Sequence, residues 1–130
     1  MSIEIYVPFY SKFVIPVEEV MKNTITIENF KIPRAEILLL LKQQAELERK
    51  DSIKGQKDRV DLICLLKSGL IDWNVYKNLV KKYELSDYSK RLETILRQAK
   101  DEFEYLGIKD LREIKKIKEK ILKQMKSSLL

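Results

Sequence analysis

Apolar and polar residues alternate from Ser2 to Phe9, with Ile3, Ile5, Val7 and Phe9 on one side and Glu4 and Tyr6 on the other. That period of two predicts a half-buried strand. Phe13 to Val17 predicts a second short extended piece, which Pro16 confines to an edge or an end. The segment TITIENFKI, residues 24–32, predicts two strands about Glu28-Asn29, or one strand with an irregularity. From Pro33 the period becomes helical: Pro33 suits a first helical position, and residues 34–51 are good helix formers. Gly55 is expected to end that helix or separate it from one over about 58–68, closed by Ser68-Gly69. Asp72 can cap a third helix striped by Trp73, Tyr76, Val80 and Tyr83. Ser86 or Asp87 starts a fourth, with Tyr88, Leu92, Ile95, Ala99, Phe103 and Leu106 on one face and Gly107 as its left-handed terminator. Leu111, Ile114, Ile117, Ile121 and Met125 stripe a last helix. The pattern is α+β: short N-terminal antiparallel strands over 1–33, then a bundle of about five helices over 34–130, packed with them as one domain.

Composition narrows the function classes. A chain of 130 residues, 45 % hydrophobic and 35 % charged, can bury one ordinary core and is not disordered in type. Its longest purely apolar run, Ile37 to Leu41, is far short of a membrane span. The N-terminus lacks a basic leader and a small-residue cleavage site, so the expected compartment is the cytoplasm. Cys64, the only cysteine, falls among Leu62, Ile63, Leu65 and Leu66 and reads as a buried, inert thiol. The absence of histidine removes histidine acid–base chemistry. Of the net charge of +6, residues 109–130 hold +5, from eight Lys or Arg against three acidic residues. Attraction to nucleic acid would therefore centre on the last helix, whose apolar stripe can instead dock on the domain or pair with a second copy or partner. The three acidic residues among its lysines weaken a membrane-surface reading.

The stretch with chemical content runs from Glu36 to Leu66. An apolar helix delivers Lys42 and then, seven residues on, Arg49 from about the same side. Past Gly55, Lys57, Asp58 and Asp61 share one helix face by their spacing of three and four. Asp58 at a helix start has capping as a sufficient explanation. The basic groups either solvate the rim of a packed helix pair or surround a triphosphate, with an aspartate orienting a lysine. No Gly-rich phosphate loop and no Cys/His metal spacing is present. Glu4 is the one carboxylate on a convincing strand.

The run IPRAEILLLLKQQAELERKDSIKGQKDRVDLICLL resembles the latter half of the catalytic domain in nucleotidyltransferases of the DNA-polymerase-beta-like superfamily. The closest branch is the archaeal and bacterial proteins related to abortive-infection toxins. The resemblance covers residues 1–66 and is most specific over 32–66. It implies that Lys42, Arg49 and Lys57 face nucleotide phosphates, that Asp58 and Asp61 support them, and that Glu4 corresponds to the third catalytic carboxylate. The family's Gly-Ser turn and its two metal-binding carboxylates, one residue apart, have no counterpart in this chain. The resemblance thus implies no complete metal site and no cofactor in the chain alone, with Mg²⁺ and NTP bound only when another chain supplies the missing half.

Three functions follow as expectations. The first is a nucleotidyltransferase-like fragment or subunit with an NTP-phosphate edge, inactive alone. The second is a non-catalytic helical interaction module, dimerising through its strand edge or last helix. The third is an RNA-binding accessory protein using the basic C-terminal helix. Nucleotide base, acceptor and partner have no sequence signal.

Overall fold

A computed structural model describes residues 14–27 and 29–127. The expected strand over 2–9, and Glu4 with it, lies outside the described residues. Among those described, the order is helix α1 (Val17–Lys22), strands β1 (Thr24–Ile27) and β2 (Phe30–Pro33), then helices α2 (Ala35–Glu48), α3 (Ile53–Lys67), α4 (Trp73–Lys82), α5 (Ser86–Gln98), α6 (Asp101–Tyr105) and α7 (Leu111–Ser127). The α+β pattern therefore stands, with a two-stranded antiparallel sheet followed by helices. There are seven described helices where about five were expected, the extra two being the short α1 and α6.

Of the two alternatives for residues 24–32, the structure takes the hairpin. β1 and β2 pair from Thr24↔Pro33 to Ile27↔Phe30, and Asn29 turns the chain at φ 70°. Asparagine tolerates this left-handed conformation better than most residues. Of the extended piece expected over Phe13 to Val17, Phe13 lies outside the described residues, and no strand forms over the rest: Val14 and Ile15 bend, and Val17 opens α1. Pro16, at φ −56°, caps α1, and its carbonyl accepts from Glu19 N at 2.9 Å. Pro33 closes β2 instead of opening α2, because Arg34, extended at ψ 157°, is the cap residue. A strand end tolerates a residue without an N–H as readily as a helix start does.

α2 is the central element. Leu39, Leu40 and Leu41 are consecutive and all buried, so no side of the helix faces water over that turn. α3, α4 and α5 pack around it, and α7 lies against α3 and α5 through buried Ile114 and Ile121. α2 ends at Glu48, with Arg49 as its C-cap. The next helix does not wait for residue 58. Ser52 caps α3 by accepting from Gly55 N at 3.2 Å, while its own hydroxyl donates to Arg49 O at 2.6 Å. Gly55 thus sits inside the first turn of α3 and breaks nothing. A Cβ there would run into the Arg49 carbonyl and come within 2.8 Å of Lys50 Cα, so the glycine permits the close return of α3 onto α2.

The later boundaries mix expected and unexpected features. Asp72 caps α4, its carboxylate accepting from Asn74 N at 3.0 Å. The expected fourth helix is two: Ala99, with ψ at 125°, leaves the helical region and α6 begins at Asp101. Ala99 and Phe103 remain buried all the same. Gly107 terminates α6 at φ 83°, with Ile108 N donating to Phe103 O and Gly107 N to Glu104 O, both at 2.9 Å. The same closure ends α4, but there Glu84 occupies the left-handed position at φ 55°. Cys64 is only half-buried, because its side of α3 turns towards the edge of the core.

Candidate functional site

The positions that carried chemical expectation meet, for the most part, at the α2–α3 seam. Lys42 on α2 is 1 % exposed, and its Nζ lies 3.2 Å from Asp58 Oδ1 and 2.9 Å from Asp61 Oδ2 on α3. Arg49 Nε and Nη2 donate to the two oxygens of Asp58 at 2.7 Å each, a bidentate fork. Asp58 itself is 0 % exposed. Since α3 starts at Ile53, Asp58 lies beyond the capping turn, so pairing with α2 explains it better than capping. Lys57 points the other way and is exposed. The structure therefore brings Lys42, Arg49, Asp58 and Asp61 together and leaves Lys57 out.

A second charge cluster adjoins the first and had no place in the sequence reading. Glu46, one turn after Lys42, is 0 % exposed. It accepts from Arg59 Nη1 at 3.1 Å and from Arg91 Nε and Nη2 at 3.0 Å each. The Glu46 carboxylate holds Arg91 protonated more firmly than usual. Arg59 continues to Glu102 at 3.2 Å, so α2, α3, α5 and α6 converge on these four side chains. For Glu46 alone a signal existed in the period: Lys42, Glu46 and Arg49 follow steps of four and three along one side of a leucine-rich helix.

A third buried polar group completes α2. Gln43 accepts from the Tyr76 hydroxyl at 2.7 Å and donates to the Tyr88 carbonyl at 2.7 Å, tying α4 and α5 to the central helix. Burial pushes the Tyr76 phenol well above its ordinary range, against smaller opposite pulls from Ser89 and Gln43. Glu36, also buried, accepts from Asp72 N at 2.8 Å and faces Arg34 Nε at 3.2 Å.

The charges at the seam are mutually paired. Four cations (Lys42, Arg49, Arg59, Arg91) meet four carboxylates (Asp58, Asp61, Glu46, Glu102), all within ion-pair distance. Among the described residues no cluster of three or more His, Cys, Asp or Glu side chains is placed to hold a metal ion. No described helix is long and apolar enough to cross a membrane.

The chain matches no family model, no curated protein and no solved structure.

A shallow cleft of about 390 Å³ opens over Arg59, Arg91 and Glu102, and a larger concave surface lies away from these ion pairs. α4, α5 and the C-terminal part of α7 enclose a groove of about 650 Å³, floored by Trp73, Tyr76, Val80, Leu122 and Met125. Four lysines, two glutamates, Ser86 and Ser89 complete its lining. The helix α7 that forms its third wall is pinned by Lys118, whose Nζ donates to Arg97 O at 2.9 Å and lies 5.8 Å from the centre of the Phe103 ring. Partial burial there pulls the Lys118 ammonium below its ordinary range.

Proposed function

We propose that this chain is a non-catalytic helical protein-interaction module, in which the α2–α3 ion cluster acts as an internal clamp. The observation that supports this reading is the mutual neutralisation of Lys42 and Arg49 by Asp58 and Asp61 in a buried setting. A phosphate entering there would compete with two carboxylates already in contact with the lysine, and it would meet their charge at close range. Lys57, exposed and apart, supplies one cation where a triphosphate needs several.

The test is an NMR titration of the ¹⁵N-labelled protein with Mg-ATP and Mg-GTP, with tripolyphosphate as anion control. The expected result is no saturable shift at Lys42, Arg49 or Lys57. Saturable shifts there, stronger with nucleotide than with tripolyphosphate and lost in Lys57→Ala, would overturn the interaction-module reading.

That opposite outcome would favour a second reading, a nucleotidyltransferase-like subunit completed by another chain. Its support is that four of the residues carrying the family resemblance (Lys42, Arg49, Asp58 and Asp61) meet in one cluster. In such a subunit the cluster would brace the edge of the site, and Mg²⁺ and NTP would be held largely by the partner.

A further inference from the structure

We infer that the groove between α4, α5 and α7 receives an acidic amphipathic helix of a partner protein. This deepens the interaction-module reading and rests on it. The floor is apolar and shaped by side chains from three helices: Trp73, Tyr76 and Val80 from α4, and Leu122 and Met125 from α7, with Ser89 from α5 beside them. Such a trough takes the apolar stripe of a helix, with anchors spaced at three and four residues. Met125, unbranched and polarizable, adapts to the shape of an incoming side chain.

The rim specifies the sign of the partner. Lys77, Lys81, Lys90 and Lys126 line the groove against Glu84 and Glu93. Glu93 is itself paired with Arg97 at 2.7 Å, so the rim presents net positive charge. The four lysines come from three helices, and Lys77 and Lys81 stand one turn apart along α4. Cations spread in this way match a ligand carrying repeated acidic groups along its length better than one with a single anionic head. A second copy of the chain, at net charge +6, would be repelled overall. Single-stranded nucleic acid has the right sign but needs exposed aromatic faces to stack on. Trp73 and Tyr76 are 9 % and 3 % exposed and are packed edge to face at 5.4 Å, so neither offers one.

Trp73 is the only tryptophan of the chain and reports on the groove directly. The experiment titrates the full chain with a synthetic helical peptide that carries leucines at steps of three and four and glutamates elsewhere. Trp73 emission and the ¹⁵N spectrum are followed together. Parallel arms use the same peptide with lysine for glutamate, a scrambled order of the same residues, dodecanoate, an oligouridylate and Mg-ATP. The acidic peptide is expected to shift Trp73 emission saturably and to bind at least about tenfold tighter than the scrambled or lysine versions. Lys81→Glu with Lys90→Glu should weaken it about tenfold or more while leaving the chain folded, both residues being exposed, with only the small fall in urea midpoint that an anion in the last turn of α4 brings. Met125→Glu is the independent variant that should weaken binding from the floor.

A peptide that binds no better than its scrambled form overturns the inference, as does affinity indifferent to the lysine reversals. A Trp73 response to dodecanoate or oligouridylate in place of the peptide overturns it too, and names the occupant. The Mg-ATP arm separates the two levels. Saturable nucleotide shifts at the α2–α3 seam bring down the interaction-module reading, whereas silence there with a failed peptide brings down only the choice of partner.

Discussion

The α2–α3 seam and the α4–α5–α7 groove each gather four cationic side chains, yet they treat them in opposite ways. At the seam three of the four are arginines, each within ion-pair distance of carboxylates that are buried or nearly so. Around the groove all four are lysines, ranged about an apolar floor with only two glutamates among them. For the three arginines the difference follows the chemistry of the two heads, whereas Lys42, the most deeply buried cation of the seam, is held by contact with both Asp58 and Asp61. A guanidinium is planar, weakly hydrated and matched in shape to a carboxylate, so it suits an interior pair. An ammonium on a flexible stem is strongly hydrated, so it covers apolar surface while its charge stays in water. In a chain that is 35 % charged, the charges that hold the central helices together are thus set apart from those that line the groove.

The sharpest way to break that contrast is at Asp58. Asp58→Ala takes from Lys42 and Arg49 the carboxylate they share, and burial prevents water from replacing it fully. The expected loss is about 3 kcal/mol, near the low end for a broken buried pair because Asp61 still faces Lys42. Urea unfolding measures it. The double variant Lys42→Met with Asp58→Leu should recover part of the loss, since it removes both fully buried charges but leaves the partly exposed Arg49 and Asp61 to water. A loss under about 1 kcal/mol in the single variant would place the seam among exposed ion pairs and erase the contrast.

Gly55→Ala comes next and acts on the same seam without touching a charge. The new methyl would collide with the Arg49 carbonyl, which is backbone and cannot swing aside. The expected cost is about 2 kcal/mol, in the range for overpacking, despite the better helix propensity of alanine. An unchanged or higher urea midpoint would mean that α3 can start further from α2 than it does.

The two regions were unequally legible in the sequence. The Asp72 cap and the Gly107 terminator depend on a few neighbouring residues and form where the local pattern put them, while the hairpin is one of the two forms that pattern allowed for residues 24–32. Gly55 misled because a glycine inside a helical pattern looks like a breaker, while its reason is a backbone contact made only after α3 folds back. The break between α5 and α6 has neither Gly nor Pro to announce it. Lys42 and Asp58 were visible as candidates, but whether they faced water or each other depended on α2 being enclosed on all sides, which is a property of packing. Arg91 and Glu102 stand 45 and 43 residues from the partners that give them a role, Glu46 and Arg59, beyond the reach of any local period. The groove was hidden for the same reason: the stripes of α4 and α7 are visible separately, the latter open to docking on the domain or on a partner, and only their meeting leaves a trough.

Tyr76 joins the two regions, since its ring lines the groove and its hydroxyl donates to Gln43 on the central helix. Tyr76→Phe leaves the buried Gln43 Oε1 without that donor and should cost about 1 kcal/mol at neutral pH. Burial raises the folded-state pKa above the ordinary value of 10.0, so the folded chain holds this proton more tightly than the unfolded one. The corresponding stability is complete below pH 10 and is lost as pH rises above it. Urea midpoints between pH 7 and about 11 should therefore fall more steeply for the natural chain than for Tyr76→Phe above pH 10. Parallel curves would show that the phenol is solvated through the groove and that the two regions are not joined there.

The smallest effect should come at Glu84, and in the opposite direction. Glu84 and Gly107 occupy the same place in the same helix-ending motif, with φ of 55° and 83° respectively. The left-handed conformation costs a residue with a Cβ roughly 1–2 kcal/mol, while glycine gives back part of that advantage through the greater freedom of its unfolded chain. Glu84→Gly should therefore raise stability by about 0.5–1 kcal/mol, read as a higher urea midpoint. Glu84 is also one of the two acidic groups on the groove, so its removal leaves the four lysines opposed by Glu93 alone. The acidic peptide should then bind somewhat tighter even as the protein becomes more stable. A gain in stability with no gain in affinity would mean that Glu84 caps α4 without shaping the charge of the rim, and the lysines nearest the floor would then set the sign of the partner by themselves.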